Sequence, residues 1–225
     1  MSSIKEPHYF ASEIRESNIA PHRRRAIAHQ ASAAHAFLAG PMDHKRFGGI
    51  VDSWPAYLRL FENATRETAI GEASVCYLWS PSAPANIAQA LPHAKIIILV
   101  RDPADRAFAQ YLHGRSHGAI LGSFRQHIDE CLAHSSTQLS EHHPFLEFGL
   151  YAEQIRRYQA LFGSNVWIGF HEDFEANPLA TLADLFRFLN VDPRFTPDVS
   201  HRHLELQVPR TATVGALKAS GLWQS

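Results

Sequence analysis

The chain has only two cysteines, Cys76 and Cys131, and neither belongs to a Cys-x-x-Cys pair. That excludes a disulfide framework and suits thiols kept reduced in a cytoplasmic compartment. Long apolar runs are also missing, with no stretch of about 18 residues that would span a membrane. The N-terminus, MSSIKEPHYF, lacks the basic-then-apolar order of a secretory signal. Charge of one sign is not in excess: 21 basic and 22 acidic residues leave a net charge of −1. No global field therefore draws nucleic acid, and any anion site has to be built locally. The 15 histidines do not fall into a ligand framework such as His-Glu-x-x-His. His142-His143 and His201-x-His203 stand alone, so no metal site is expected from spacing.

What is present fits one α/β domain over residues 1–225, long enough to bury a real core. The chain is organised around KIIILVRDPADRAFAQYLH, Lys95 to His113. Ile96 to Val100 is an unbroken apolar, largely β-branched run, which predicts a strand buried on both faces. Arg101 stands at its end. Asp102 and Pro103 then predict a helix start, with Asp as N-cap and Pro where its missing N–H costs nothing. An arginine at a strand's carboxyl end beside a helix N-terminus is a ready phosphate site. The residues alone leave a second reading open, a surface salt bridge from Arg101 to Asp102 or Asp105.

Elsewhere the pattern predicts an Ala-rich helix from Pro21 to Leu38 and a short helix after Ser53. Another follows Ser82, and a Gly-rich loop spans His113 to Gly122. Further helices are expected at Ser123–Ala133, Gly149–Phe162 and after Asn177-Pro178. Arg23, Arg24 and Arg25 sit where a helix dipole disfavours cations and read as a solvated end. Strands are expected near 69–73, 95–100 and 165–170. Their alternation with helices predicts a parallel sheet with helices on both faces. Three strands are few for such a sheet.

Several segments, taken in order, resemble one family. KIIILVRDPADRAFAQY resembles the 3′-phosphate-binding segment of sulfotransferases that use 3′-phosphoadenosine 5′-phosphosulfate (PAPS). KEPHYF, GEASVCYL, GLYAEQIRRYQALF, HEDFEANPLATLADLFRFLNVDP and VPRTATVGAL are similar to other segments of that family, in the same order. The bacterial type related to heparan sulfate sulfotransferases fits best. The resemblance implies a P-loop NTPase-like fold in N-terminally truncated form, with PAPS as co-substrate. It also implies an acceptor with a hydroxyl or amine on a carbohydrate, lipid or small molecule. Arg101 would grip the 3′-phosphate, Arg210 would contact the nucleotide, Glu6 would be the acceptor base and His8 would line the same pocket. A Glu-x-His pair on an extended segment would point both side chains one way. For Glu6 the plainer reading is an ion pair with Lys5 or Arg15.

Two departures stand out. The family's phosphate-binding serine is Ala109 here. The family's Gly-x-x-Lys-x-Gly-Thr loop, whose backbone and lysine hold the 5′-phosphosulfate, is not found in these residues. On the resemblance, that end of the nucleotide would be held by a preceding segment or by a second copy, leaving a homo-oligomer open. A sulfotransferase-like protein that binds nucleotide or a partner subunit without turnover is the alternative. A kinase is disfavoured by the missing Walker lysine.

Overall fold

The computed structural model describes residues 2–14 and 16–200. Among these, four parallel strands form two pairs. β1 (Ile4–Lys5) pairs with β2 (Arg46–Phe47), and β3 (Ile96–Val100) pairs with β4 (Val166–Phe170), in register from Ile96↔Val166 to Val100↔Phe170. Helices fill the connections: α1 (Pro21–Ala39), α2 (Trp54–Arg59), α3 (Cys76–Trp79), α4 (Ala83–Ala90), α5 (Pro103–Ser116), α6 (Phe124–Ala133), α7 (Tyr151–Phe162), α8 (His171–Ala176) and α9 (Pro178–Leu189). None of the described helices is long and apolar enough to cross a membrane.

Local chemistry accounts for the helix ends. Ser123 and Gln126 form a reciprocal capping box that starts α6. Asn177 caps α9 through the Ala180 N–H, and Asn190 closes it in the left-handed region at φ 60°. Gly163 ends α7 at φ 52°. α5 runs past His113 into the expected Gly-rich loop. Gly114 permits this, because a Cβ there would lie 2.5 Å from Ile120 Cδ1. The loop therefore starts only after Ser116, where Ile120 folds back over the helix.

One core joins both strand pairs. Ile4 of β1, Ile98 and Val100 of β3, Ala34 and Leu38 of α1, and Tyr158 and Phe162 of α7 all belong to it. A second, smaller core places Ala107 and Tyr111 of α5 against Ile120, Cys131 and Phe145.

Two strand expectations need correction. β3 is buried on one face only: Ile98 and Val100 point into the core, whereas Ile97 and Leu99 are 46% and 49% exposed. Its apolar run is continuous, but β4 is its one partner strand among the described residues and α9 packs on the β4 side. The stretch 69–73 forms no regular strand. It supplies half a ladder instead, with Gly71 and Ala73 carbonyls accepting from the N–H groups of Ser2 and Glu6.

Candidate active site

The site-bearing residues follow the carboxyl ends of β1 and β3, where open α/β sheets place their ligands. Glu6 follows Lys5 directly, but the chain is not extended there. Glu6 and His8 both occupy the left-handed region, at φ 64° and φ 56°, on either side of Pro7. Strand alternation therefore does not place this pair on one face. Side chains in that region are rare and costly, and such strain is held only where surrounding contacts fix it. Here the contacts are visible: the Glu6 N–H binds the Ala73 carbonyl, and the His8 N–H binds Ser74 Oγ at 3.1 Å. The turn still brings the two side chains together, with His8 Nε2 3.9 Å from Glu6 Oε2.

GEASVCYL closes around them. Ser74 Oγ, besides receiving the His8 N–H, donates to Glu72 Oε2 at 3.1 Å. His8 Nδ1 lies 3.0 Å from Cys76 Sγ. Burial pushes the Cys76 thiol far above its ordinary value, so it stays protonated. The other ring nitrogen, Nε2, faces Glu6. Burial also lowers His8 to about 4, which keeps the ring neutral at physiological pH. Glu6 is raised above the ordinary carboxylate range by burial, against the pull of Lys5. Glu72 is raised too, by burial and then by the charge of Glu6, while Tyr77 and Ser74 hydroxyls oppose the shift. Two half-buried carboxylates with raised pKa beside a neutral imidazole can take up a proton. The sequence reading gave Glu72, Ser74 and Cys76 no role, although the resemblance of GEASVCYL was the available signal.

Arg101 is half-buried at the end of β3. Neither Asp102 nor Asp105 pairs with it, and its guanidinium has no hydrogen bond or ion pair among the described residues. The expected N-cap forms, since the Asp102 carboxylate accepts from the N–H groups of Ala104 and Asp105. The Asp102 N–H is taken in turn by Glu172, at 2.9 Å, from the first turn of α8. The first amides of α5 are thus already occupied. Anion binding at this strand end falls to the Arg101 side chain rather than to the helix terminus. Nothing bonds Arg101 directly to Glu6 or His8; it stands on the other strand pair. Arg210 lies outside the described residues. Arg23 and Arg25 are exposed and Arg24 donates to the Ile19 carbonyl, as a solvated helix start requires.

Comparison with known proteins speaks to family and fold. A family model described as "Sulfotransferase family" matches residues 20–197. The bifunctional heparan sulfate N-deacetylase/N-sulfotransferase 2 of Bos taurus is 30% identical over 161 residues, covering 70% of this chain and 18% of that protein. The Drosophila melanogaster N-deacetylase/N-sulfotransferase is 30% identical over 126 residues, 54% of this chain and 12% of its own. The chain thus spans about a fifth or less of the length of these relatives. In fold it is similar to a sulfotransferase from Alicyclobacillus acidocaldarius, with a TM-score of 0.71 and 28% identity, covering 91% of this chain and 78% of the other.

Proposed function

The chain belongs to the sulfotransferase family, and on that footing we propose that it transfers a sulfuryl group from PAPS to an amine or hydroxyl of a carbohydrate. The observation that carries the reading is the Glu6 carboxylate, raised by burial and set beside neutral His8 just past β1. An acceptor bound there gives its proton to Glu6 as its lone pair attacks sulfur in line. The sulfur–oxygen bond to the 5′-phosphate breaks, and 3′,5′-ADP leaves with the bonding electrons. His8, held by Cys76 and Ser74, lines the same pocket with Nε2 3.9 Å from Glu6 Oε2. Arg101, unpaired on the other strand pair, takes the 3′-phosphate, and Arg210 is assigned to the nucleotide by family resemblance. The relatives' names point to amino-sugar polymers such as heparan sulfate as acceptors. No Gly-x-x-Lys-x-Gly-Thr loop occurs in these residues, so this reading gives the chain's own groups the 3′-phosphate and acceptor ends. The two cysteines are free and buried, which fits a reducing, cytoplasmic setting.

The test is release of 3′,5′-ADP from PAPS in the presence of N-desulfated heparan chains and simple amino sugars. Release is expected from the wild type. Glu6→Gln is expected to abolish it while 3′,5′-ADP binding persists. The reading fails if no acceptor elicits release and 3′,5′-ADP gives no thermal shift.

A further inference from the structure

Away from this site, α6 and the loop after it bring together a cluster that the linear spacing does not reveal. His127 and Glu130 are three residues apart on α6 and so share one face of the helix. His142 arrives from the loop twelve residues beyond Glu130, and its Nε2 stands 3.3 Å from Glu130 Oε2. His127 Nδ1 lies 3.9 Å from the same oxygen. The three ligand atoms lie within 4.8 Å of one another. Tetrahedral zinc, with bonds of about 2.0–2.2 Å, needs its ligand atoms about 3.3–3.6 Å apart. The cluster is therefore slightly open but already of the right size.

The geometry points to a divalent transition-metal site at His127, Glu130 and His142, taking Zn²⁺, Co²⁺ or Ni²⁺ through two imidazole nitrogens and one carboxylate oxygen. Calcium and magnesium, which prefer all-oxygen sets, do not suit it. The His127 side chain is only 1% exposed, with its ring set edge-on to Phe145 at 4.5 Å. Its Nε2 faces Cys131 Sγ at 3.6 Å, which leaves Nδ1 turned toward Glu130 as the ligand atom. Glu130 is 60% exposed, so the fourth position opens to water. The loop carrying His142 is fixed on both sides. Leu139 bonds Asn18 and Ala20 through its backbone, and His143 Nδ1 meets Glu147 at 3.1 Å. A metal bound here would clip that loop to α6, well removed in sequence from the transfer residues.

The experiment is calorimetric titration of chelator-stripped protein with ZnCl₂ alone, followed by CoCl₂ with visible spectroscopy. One tight equivalent per chain and a tetrahedral Co²⁺ spectrum are expected. Both should disappear in Glu130→Gln and in His142→Ala, and persist in His35→Ala and His44→Ala, which alter exposed histidines elsewhere. Metal-free melting curves of Glu130→Gln, a nearly isosteric surface change, distinguish loss of a ligand from loss of fold. Absence of a tight equivalent in the wild type overturns the proposal. So does an equivalent that survives both ligand substitutions, because the ion is then on other histidines.

Discussion

Removing the Arg101 side chain gives the sharpest check on the nucleotide end of the site. Arg101 makes no side-chain bond to any described residue, so Arg101→Ala should leave the melting temperature essentially unchanged. Its cost should fall on the ligand. A bidentate guanidinium–phosphate pair contains two charge-assisted hydrogen bonds, each worth about 1.5–3 kcal/mol. Arg101 is only half-buried, and solvent screening reduces the pair to about 2–3 kcal/mol in all. At 1.4 kcal/mol per decade, 3′,5′-ADP should bind about 30- to 140-fold more weakly. Arg101→Lys keeps the charge but loses the fork, and should cost about tenfold. Titration calorimetry of 3′,5′-ADP measures both, with thermal unfolding as the control. Unchanged affinity in Arg101→Ala would show that the strand end does not hold the nucleotide. A large fall in melting temperature would show that the arginine has a structural task after all.

Ala109→Ser restores the hydroxyl that this chain lacks and should tighten 3′,5′-ADP binding by about one to two decades; no gain means that α5 does not face the phosphate as the resemblance implies. Glu6 carries a raised folded-state pKa, so ionising it at neutral pH weighs against the fold, and the penalty grows as pH rises through that value. Glu6→Gln should therefore abolish turnover yet melt no lower than the wild type at pH 7, and the wild-type rate should climb with pH from above the ordinary carboxylate range. Glu13 is the opposite case: although burial opposes ionisation, hydrogen bonds from Ser80 and Ser82 hold its carboxyl below the ordinary value. Its stabilisation is present above the unfolded-state value and lost as pH falls through the folded one, so Glu13→Gln should cost about 1–2 kcal/mol at pH 7 and less in acid. Gly169→Ala places a Cβ 2.2 Å from the Trp167 ring, which is anchored by its N–H to Asp184 at 2.9 Å; a loss of about 1–3 kcal/mol is expected, and Trp167→Phe in the same chain should recover part of it.

Much of this was legible from residue order. The apolar run at Ile96–Val100, the Asp102 cap, Pro103 at the head of α5, Gly163 after α7 and the Asn177-Pro178 start each act over a few residues. Local sterics and hydrogen bonding decide such features, so the sequence determined them by itself. The ordered segments likewise determined the family, and the family model and the structural neighbour agree with it.

Tertiary structure decided what depends on distant partners. The same apolar run reads as buried on both faces, but only the packing shows Ile97 and Leu99 facing outward, because burial depends on what lies beside a strand. Residues 69–73 look like a strand, yet their hydrogen bonds go to Ser2 and Glu6 in half a ladder. Glu6 and His8 meet through two left-handed residues around Pro7, a geometry that alternation along a strand does not supply. The raised pKa of Glu6 comes from burial, and the neutrality of His8 from burial beside a protonated thiol 68 positions away. Nor does spacing along the chain reveal that His142 reaches Glu130, since a loop pinned at Leu139 sets that distance.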